Sequence, residues 1–269
     1  MNIEKFITEY EDYLIDSFYE LWKQIEVEPD KLGAYSVIGG LLSRQVTLSI
    51  ELARSPNNWN GHSAPLFLRA MTDLYITLSW ILLDLEERSK LYVAHGLGEE
   101  KLLVELYKLG IEEESDDKTK EQMQQIVDIK SSWINSQKMD WAVEVNLGSW
   151  SPLDYRKMSQ EADCEGLYKF AYKPFSQNSH NMWPHVSVYN SKRCTNPLHR
   201  YHIIPELIEA PFEPDFMYRS CKYVNKTFSL FISTFNVKLS KMPFEWWDNY
   251  WKDNIDNGEQ DNTSDELIL

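Results

Sequence analysis

Apolar residues recur at three- and four-residue intervals from the start of the chain. Phe6, Tyr10, Tyr13, Leu14, Phe18, Leu21 and Trp22 fall on one side of a helix, which Pro29 and Gly33 are expected to close. A second helix is predicted over Tyr35–Ala53, with Val37, Leu41, Leu42, Leu48 and Leu52 as its apolar stripe. The segment SPNNWNGH, residues 55–62, has turn chemistry, after which Ser63 as N-cap and Pro65 in the first turn start a third helix running to about Leu83. This third element is the most apolar and is expected at the centre.

Beyond it, Glu86–Leu109 continues the helical pattern, with Gly110 as its terminator and an exposed acidic connection over residues 111–120. Helices follow over Glu121–Asn135, from a Ser151 cap with Pro152, around Glu165–Trp183, and near Phe216–Ser240. A loop is read at Asn190–Pro197. Strand-like alternation is nearly absent, so the fold class is all-α: a multi-helix bundle with a central apolar helix. Residues 1–252 read as one helical domain, because no repeat and no Gly/Ser- or Pro-rich linker divides the chain. Residues 253–269 read as a disordered acidic tail.

Composition, charge and motifs sharpen this picture. The 269 residues, 43% of them hydrophobic and rich in Trp, Tyr and Phe, can bury a sizeable core. The three cysteines, Cys164, Cys194 and Cys221, are scattered and odd in number, as in a chain with reduced thiols. The first residues mix charge with apolar side chains instead of forming a signal peptide, so the expected location is the cytoplasm and no membrane contact is expected. The formal charge of −15 argues against broad attraction to nucleic acid, so any RNA contact must be local. There is no GxxxxGK[ST] cradle, GxGxxG turn or GxSxG elbow, so the usual nucleotide-cofactor and acyl-transfer motifs are missing.

Several polar residues interrupt the apolar helices. Arg44 and Glu51 stand two turns apart on the second helix, too distant to pair directly. Arg69 and Asp73, at i and i+4 in FLRAMTDLY, can meet among apolar neighbours. Such a pair is either a partly exposed helix pair or a buried network that invites a functional explanation. Further on, Tyr168, Tyr172, Ser176 and His180 succeed one another at i+4, and Pro174 either kinks or restarts their helix, which would tilt His180 inward. A carboxylate such as Asp73 could fix the tautomer of that imidazole, and the plain alternative is a core histidine bonded to Tyr or Ser.

The runs LLSRQVTLSIE, FLRAMTDLY and GLYKFAYKPFSQNSH together resemble the bacterial family catalogued as domain of unknown function 5677, over about Tyr35–His202. That family's helical plan and Arg/His signature in turn resemble the HEPN superfamily, dimeric helical proteins that include metal-independent ribonucleases of toxin and phage-defence systems. The resemblance implies a HEPN-like endoribonuclease or defence effector. In it His180 would move the protons, Arg69 would stabilise a phosphorane, and Asp73 would orient both. Arg44, Glu51, Tyr172 and Ser176 would contact substrate, and no metal or other cofactor is expected for this chemistry. The HEPN pattern places its Arg and His close in sequence, however, as only Arg88/His95 and Arg193/His199 do here. Trp183 is expected in the core, with base stacking as its other role.

The segment CTNPLHRYH contains Cys194, His199 and His202, which with His185 could supply four zinc ligands. Its spacing matches no common finger, and a loop with chance histidine clustering is the preferred reading. The runner-up function is a non-catalytic helical scaffold that binds a partner protein. The aromatic stretch PFEWWDNYWKDN is expected to cap the core, or else to anchor such a partner. RNA at a local site, a protein partner and a second copy of the chain are the partners these readings allow.

Overall fold

The computed structural model describes residues 2–141, 143–148 and 151–262, the side chains of 140 and 253–262 aside. Its helices are α1 (Ile3–Trp22), α2 (Leu32–Ala53), α3 (Ala64–Ile81), α4 (Leu85–Glu113), α5 (Asp117–Trp141) and α6 (Tyr155–Glu161). After these come a short α7 (Glu165–Leu167), α8 (Lys173–Ser179), α9 (Trp183–Tyr189), α10 (Asp215–Phe235) and α11 (Pro243–Asn262). The fold is an all-α multi-helix bundle. A two-stranded antiparallel hairpin pairs β1 (Ser191–Arg193), inside the segment that reads as a loop, with β2 (Ile203–Pro205), which lies beyond it.

Helix α3 is the central element: it packs against α2, α10, α8, α6 and α4. The reason is compositional, since twelve of its residues, Leu68, Met71, Leu74, Ile76 and Leu78 among them, are buried on nearly every side. One chain of polar groups runs through the core. The Tyr10 hydroxyl lies 2.9 Å from Ser49 Oγ, Ser49 lies 2.7 Å from Ser220 Oγ, and Ser220 donates to Met71 Sδ, which ties α1, α2, α10 and α3 together. Along α11, Trp246, Trp247 and Tyr250 pack around Phe6 and Tyr10, so the aromatic stretch caps the core as expected.

Local signals misplace several boundaries. Gly33 does not close α1 but lies in the first turn of α2, where a Cβ would stand 2.7 Å from the Trp141 ring. Gly110 does not end α4, which runs on to Glu113. The third helix is not capped by the Ser63 side chain; the Asn60 side chain accepts from the Ser63 and His62 amides instead. Asp154, not Ser151, caps α6, by accepting from the Lys157 amide. Trp183, expected in the core, is 62% exposed. The backbone of α11 stays helical to Asn262, past the point where the sequence reads as a disordered tail, and residues 263–269 lie outside the described residues.

Between α7 and α8, residues Tyr168–Tyr172 form one turn of π-helix. Pro174 has no amide hydrogen to offer the Phe170 carbonyl, so the ordinary ladder cannot close there. The Lys173 amide instead reaches back to the Tyr168 carbonyl. The chain restarts as α8 with Pro174 in its first turn.

Candidate functional site

The π-turn and α3 meet at Arg69. Its Nη1 pairs with Asp73 Oδ2 at 3.0 Å, its Nε donates to Ser176 Oγ at 2.7 Å, and its guanidinium lies 3.4 Å from the centre of the Tyr172 ring. Ser176 in turn donates to the Tyr172 carbonyl at 2.8 Å. The Tyr172 ring stacks on Tyr168 at 5.1 Å and on Tyr155 at 5.3 Å. Four of the residues singled out from the sequence, Arg69, Asp73, Tyr172 and Ser176, are thus brought together. Side-chain exposures of 14% for Arg69 and 33% for Asp73 make this a largely sequestered network whose cation already has its partners.

His180 does not join them. It is the C-cap of α8 and is exposed, and the next residue, Asn181, turns the chain away with a φ of +50°. Among the described residues no hydrogen bond or ion pair links its imidazole to Arg69 or Asp73. The interior position belongs to the buried Asn178 two residues earlier, whose Nδ2 donates to the His62 carbonyl at 2.9 Å and lies 3.0 Å from His185 Nε2. Nor do Arg44 and Glu51 reach the network. Arg44 is exposed, and Glu51 pairs with Arg54 at 3.1 Å beside Glu11 of α1. The second-helix stripe has two sides, and these two residues lie off the side that faces α3.

On the other side of Asp73 lies an aromatic cleft that the sequence reading missed. Tyr155 and Tyr92 face the Asp73 carboxylate, and burial first, then that negative charge, pushes both phenol pKa values up. The same two tyrosines line a cavity of about 470 Å³ with Trp133, Trp141, His95 and Gln137. Two close approaches involve residues of the lining or their neighbours. The absence of a side chain at Gly33 lets the Trp141 ring lie against α2, and at Gly98 it lets the Asn146 carbonyl press against α4. The Asn146 amide donates to the Ala94 carbonyl at 2.9 Å, and His95 Nδ1 lies 2.9 Å from the Gly148 carbonyl. A carbonyl only accepts, so Nδ1 carries a proton in this arrangement. The sequence signal for His95 was its place in the Arg88/His95 pair. Arg88 itself is held against Trp80, 3.9 Å from the ring centre, and pairs with Glu161 at 3.3 Å.

A second cavity, about 510 Å³, lies between the π-turn and α10, where Lys222 and Lys226 stand near Cys164. Burial pushes that thiol up to about 11, so it stays protonated and weakly nucleophilic at neutral pH. No helix among the described residues is long and apolar enough to cross a membrane.

No curated protein and no solved structure matches this chain. A family model does match residues 35–196, the span that holds most of α2, all of α3, the Arg69 network and the residues lining the aromatic cleft. The chain therefore belongs to the family described as "Family of unknown function (DUF5677)".

Proposed function

We propose that the protein is a non-catalytic helical binding module whose cleft between α4, α5 and α6 takes a neutral or cationic planar heteroaromatic ring, such as a free nucleobase. The observation that carries this reading is the lining itself: Tyr92, Trp133, Trp141 and Tyr155 offer ring faces, Gln137 and His95 offer polar edges, and among the described residues no Lys or Arg lines the cavity. The negative faces of four aromatic rings in a chain of charge −15 favour a neutral or cationic guest over an anionic one. The Arg69 network then serves as the support that holds Tyr155 and Tyr172 in place. Calorimetric titration of the full chain with adenosine, the cationic N7-methylguanosine and adenosine 5′-monophosphate tests it. Binding of the nucleosides, weakened about tenfold by Trp133→Ala or Trp141→Ala and not improved by the phosphate, is expected. Absence of binding, or affinity unchanged in both variants, discards the reading.

A second reading keeps the resemblance to HEPN ribonucleases and defence effectors. It is supported by the meeting of Arg69, Asp73, Tyr172 and Ser176, with His180 one turn beyond Ser176. His180 would take the ribose 2′-hydroxyl proton, and Arg69 would have to exchange Ser176 or Asp73 for the phosphorane oxygens. RNA cleavage in the presence of chelator, lowered about 100-fold or more in His180→Ala, is what this reading requires. Intact RNA with both proteins removes it.

A further inference from the structure

The β1–β2 hairpin holds three side chains that neither reading uses. Its ladder pairs Ser191 with Pro205, Lys192 with Ile204 and Arg193 with Ile203, and the Cys194 amide extends it by donating to the His202 carbonyl at 2.9 Å. Cys194 and His202 therefore face each other across the hairpin mouth. The loop between them doubles back: the Leu198 amide donates to Asn196 Oδ1, and the His199 amide donates to the Asn196 carbonyl, both at 3.0 Å. This brings His199 Nδ1 to 3.6 Å from Cys194 Sγ and sets the His199 and His202 rings 5.2 Å apart. One donor atom from each of the three residues lies within 4.8 Å of the others.

We propose that Cys194, His199 and His202 form a zinc site with its fourth coordination position open to solvent. A tetrahedral ion with Zn–S of about 2.3 Å and Zn–N of about 2.0 Å requires sulfur and nitrogen ligands about 3.5 Å apart, and the Cys194–His199 separation meets that. One thiolate and two imidazoles are a borderline-soft donor set that suits zinc over magnesium or calcium. Beyond its ladder, its turn hydrogen bonds and the Lys192–Glu206 ion pair at 2.7 Å, the hairpin gains little from the core. Its strands are three residues each, and Leu198, Tyr201 and Leu207 around it are at least 84% exposed, so little apolar burial supports it. A metal cross-link at the hairpin mouth supplies what the core does not. His185 is not the fourth ligand: its ring stacks on Tyr189 at 4.6 Å and its Nε2 lies beside Asn178, in a separate cluster with His62. Binding releases the Cys194 thiol proton to solvent as the Zn–S bond forms, so affinity rises with pH.

Cobalt(II) titration of the full, reduced chain is the test. One equivalent per chain should give the intense visible bands of a tetrahedral site and a near-ultraviolet thiolate-to-cobalt band, both erased by added zinc. Cys194→Ser and His199→Ala should lose these bands, while Cys164→Ser and His185→Gln keep them. Trypsin cleavage after Arg200, within the loop, gives an independent readout. At zinc a hundredfold above its dissociation constant, cleavage should slow by up to about 100-fold in the native chain and stay unchanged in Cys194→Ser. Absence of a thiolate-to-cobalt band, its persistence in Cys194→Ser, or zinc-independent proteolysis of the native chain would each overturn the site.

Discussion

Arg69 illustrates how one side chain can be committed several times over. Its fork is divided between a carboxylate and a hydroxyl, and its face rests on a tyrosine ring. A lysine could replace the charge but neither the fork nor the stacking. Arg69→Ala leaves Asp73 with a buried Oδ1 and no cation, and should lower unfolding free energy by about 1–3 kcal/mol. That is less than for a fully buried pair because Asp73 keeps some contact with solvent. Urea denaturation of Arg69→Ala and Arg69→Lys checks it: a lysine variant as stable as the native chain would mean that stacking and fork geometry contribute nothing. The Arg69–Asp73 pair was legible beforehand because i, i+4 proximity is a property of any helix. The half-buried Tyr155 was not, since its meeting with Asp73 depends on where α6 docks against α3.

At the scale of elements, the π-turn decides which residues face α3. The i+4 stripe Tyr168, Tyr172, Ser176 was readable, and its first three members do cluster. Its fourth, His180, was lost because α8 ends there and Asn181 takes a left-handed conformation. Pro174 announced an interruption, though not that the chain would accommodate it with one wider turn. Deleting Lys169 should return the segment to α-helical register and rotate α7 about 100° relative to α8. Either α7 or the Tyr172–Ser176 face must then leave its place, and a loss of about 2–4 kcal/mol in denaturant unfolding is expected. Full stability in the deletion variant would show that the extra residue is not required by the packing.

Across the whole molecule, the loop before α3, the α8–α9 junction and the segment before α10 are drawn together by histidines. His62 Nε2 lies 2.8 Å from the Ile208 carbonyl, and His62 meets His185 edge to face at 6.4 Å. Burial first, and the neighbouring His62 second, hold the His185 pKa below its usual value. As pH falls below about 6.5, the unfolded chain takes up this proton before the folded one does, so stability is lost toward lower pH and is independent of this group above that range. Thermal melting from pH 7.5 to 5 should show that decline, and His185→Gln should flatten it. An unchanged slope in the variant would assign the decline to other groups.

The helical class, the central position of α3, the core-capping role of the α11 aromatics and the Arg69–Asp73 pair were determined by the sequence itself, because each follows from periodicity, composition or spacing within one helix. Tertiary structure alone decided the rest. The turning of His180 to solvent, the aromatic cleft beside Asp73 and the convergence of Cys194, His199 and His202 all depend on the angles at which separate segments meet. Those angles are set by long-range packing and by close approaches such as Gly33 to Trp141 and Gly98 to Asn146, which no local pattern encodes.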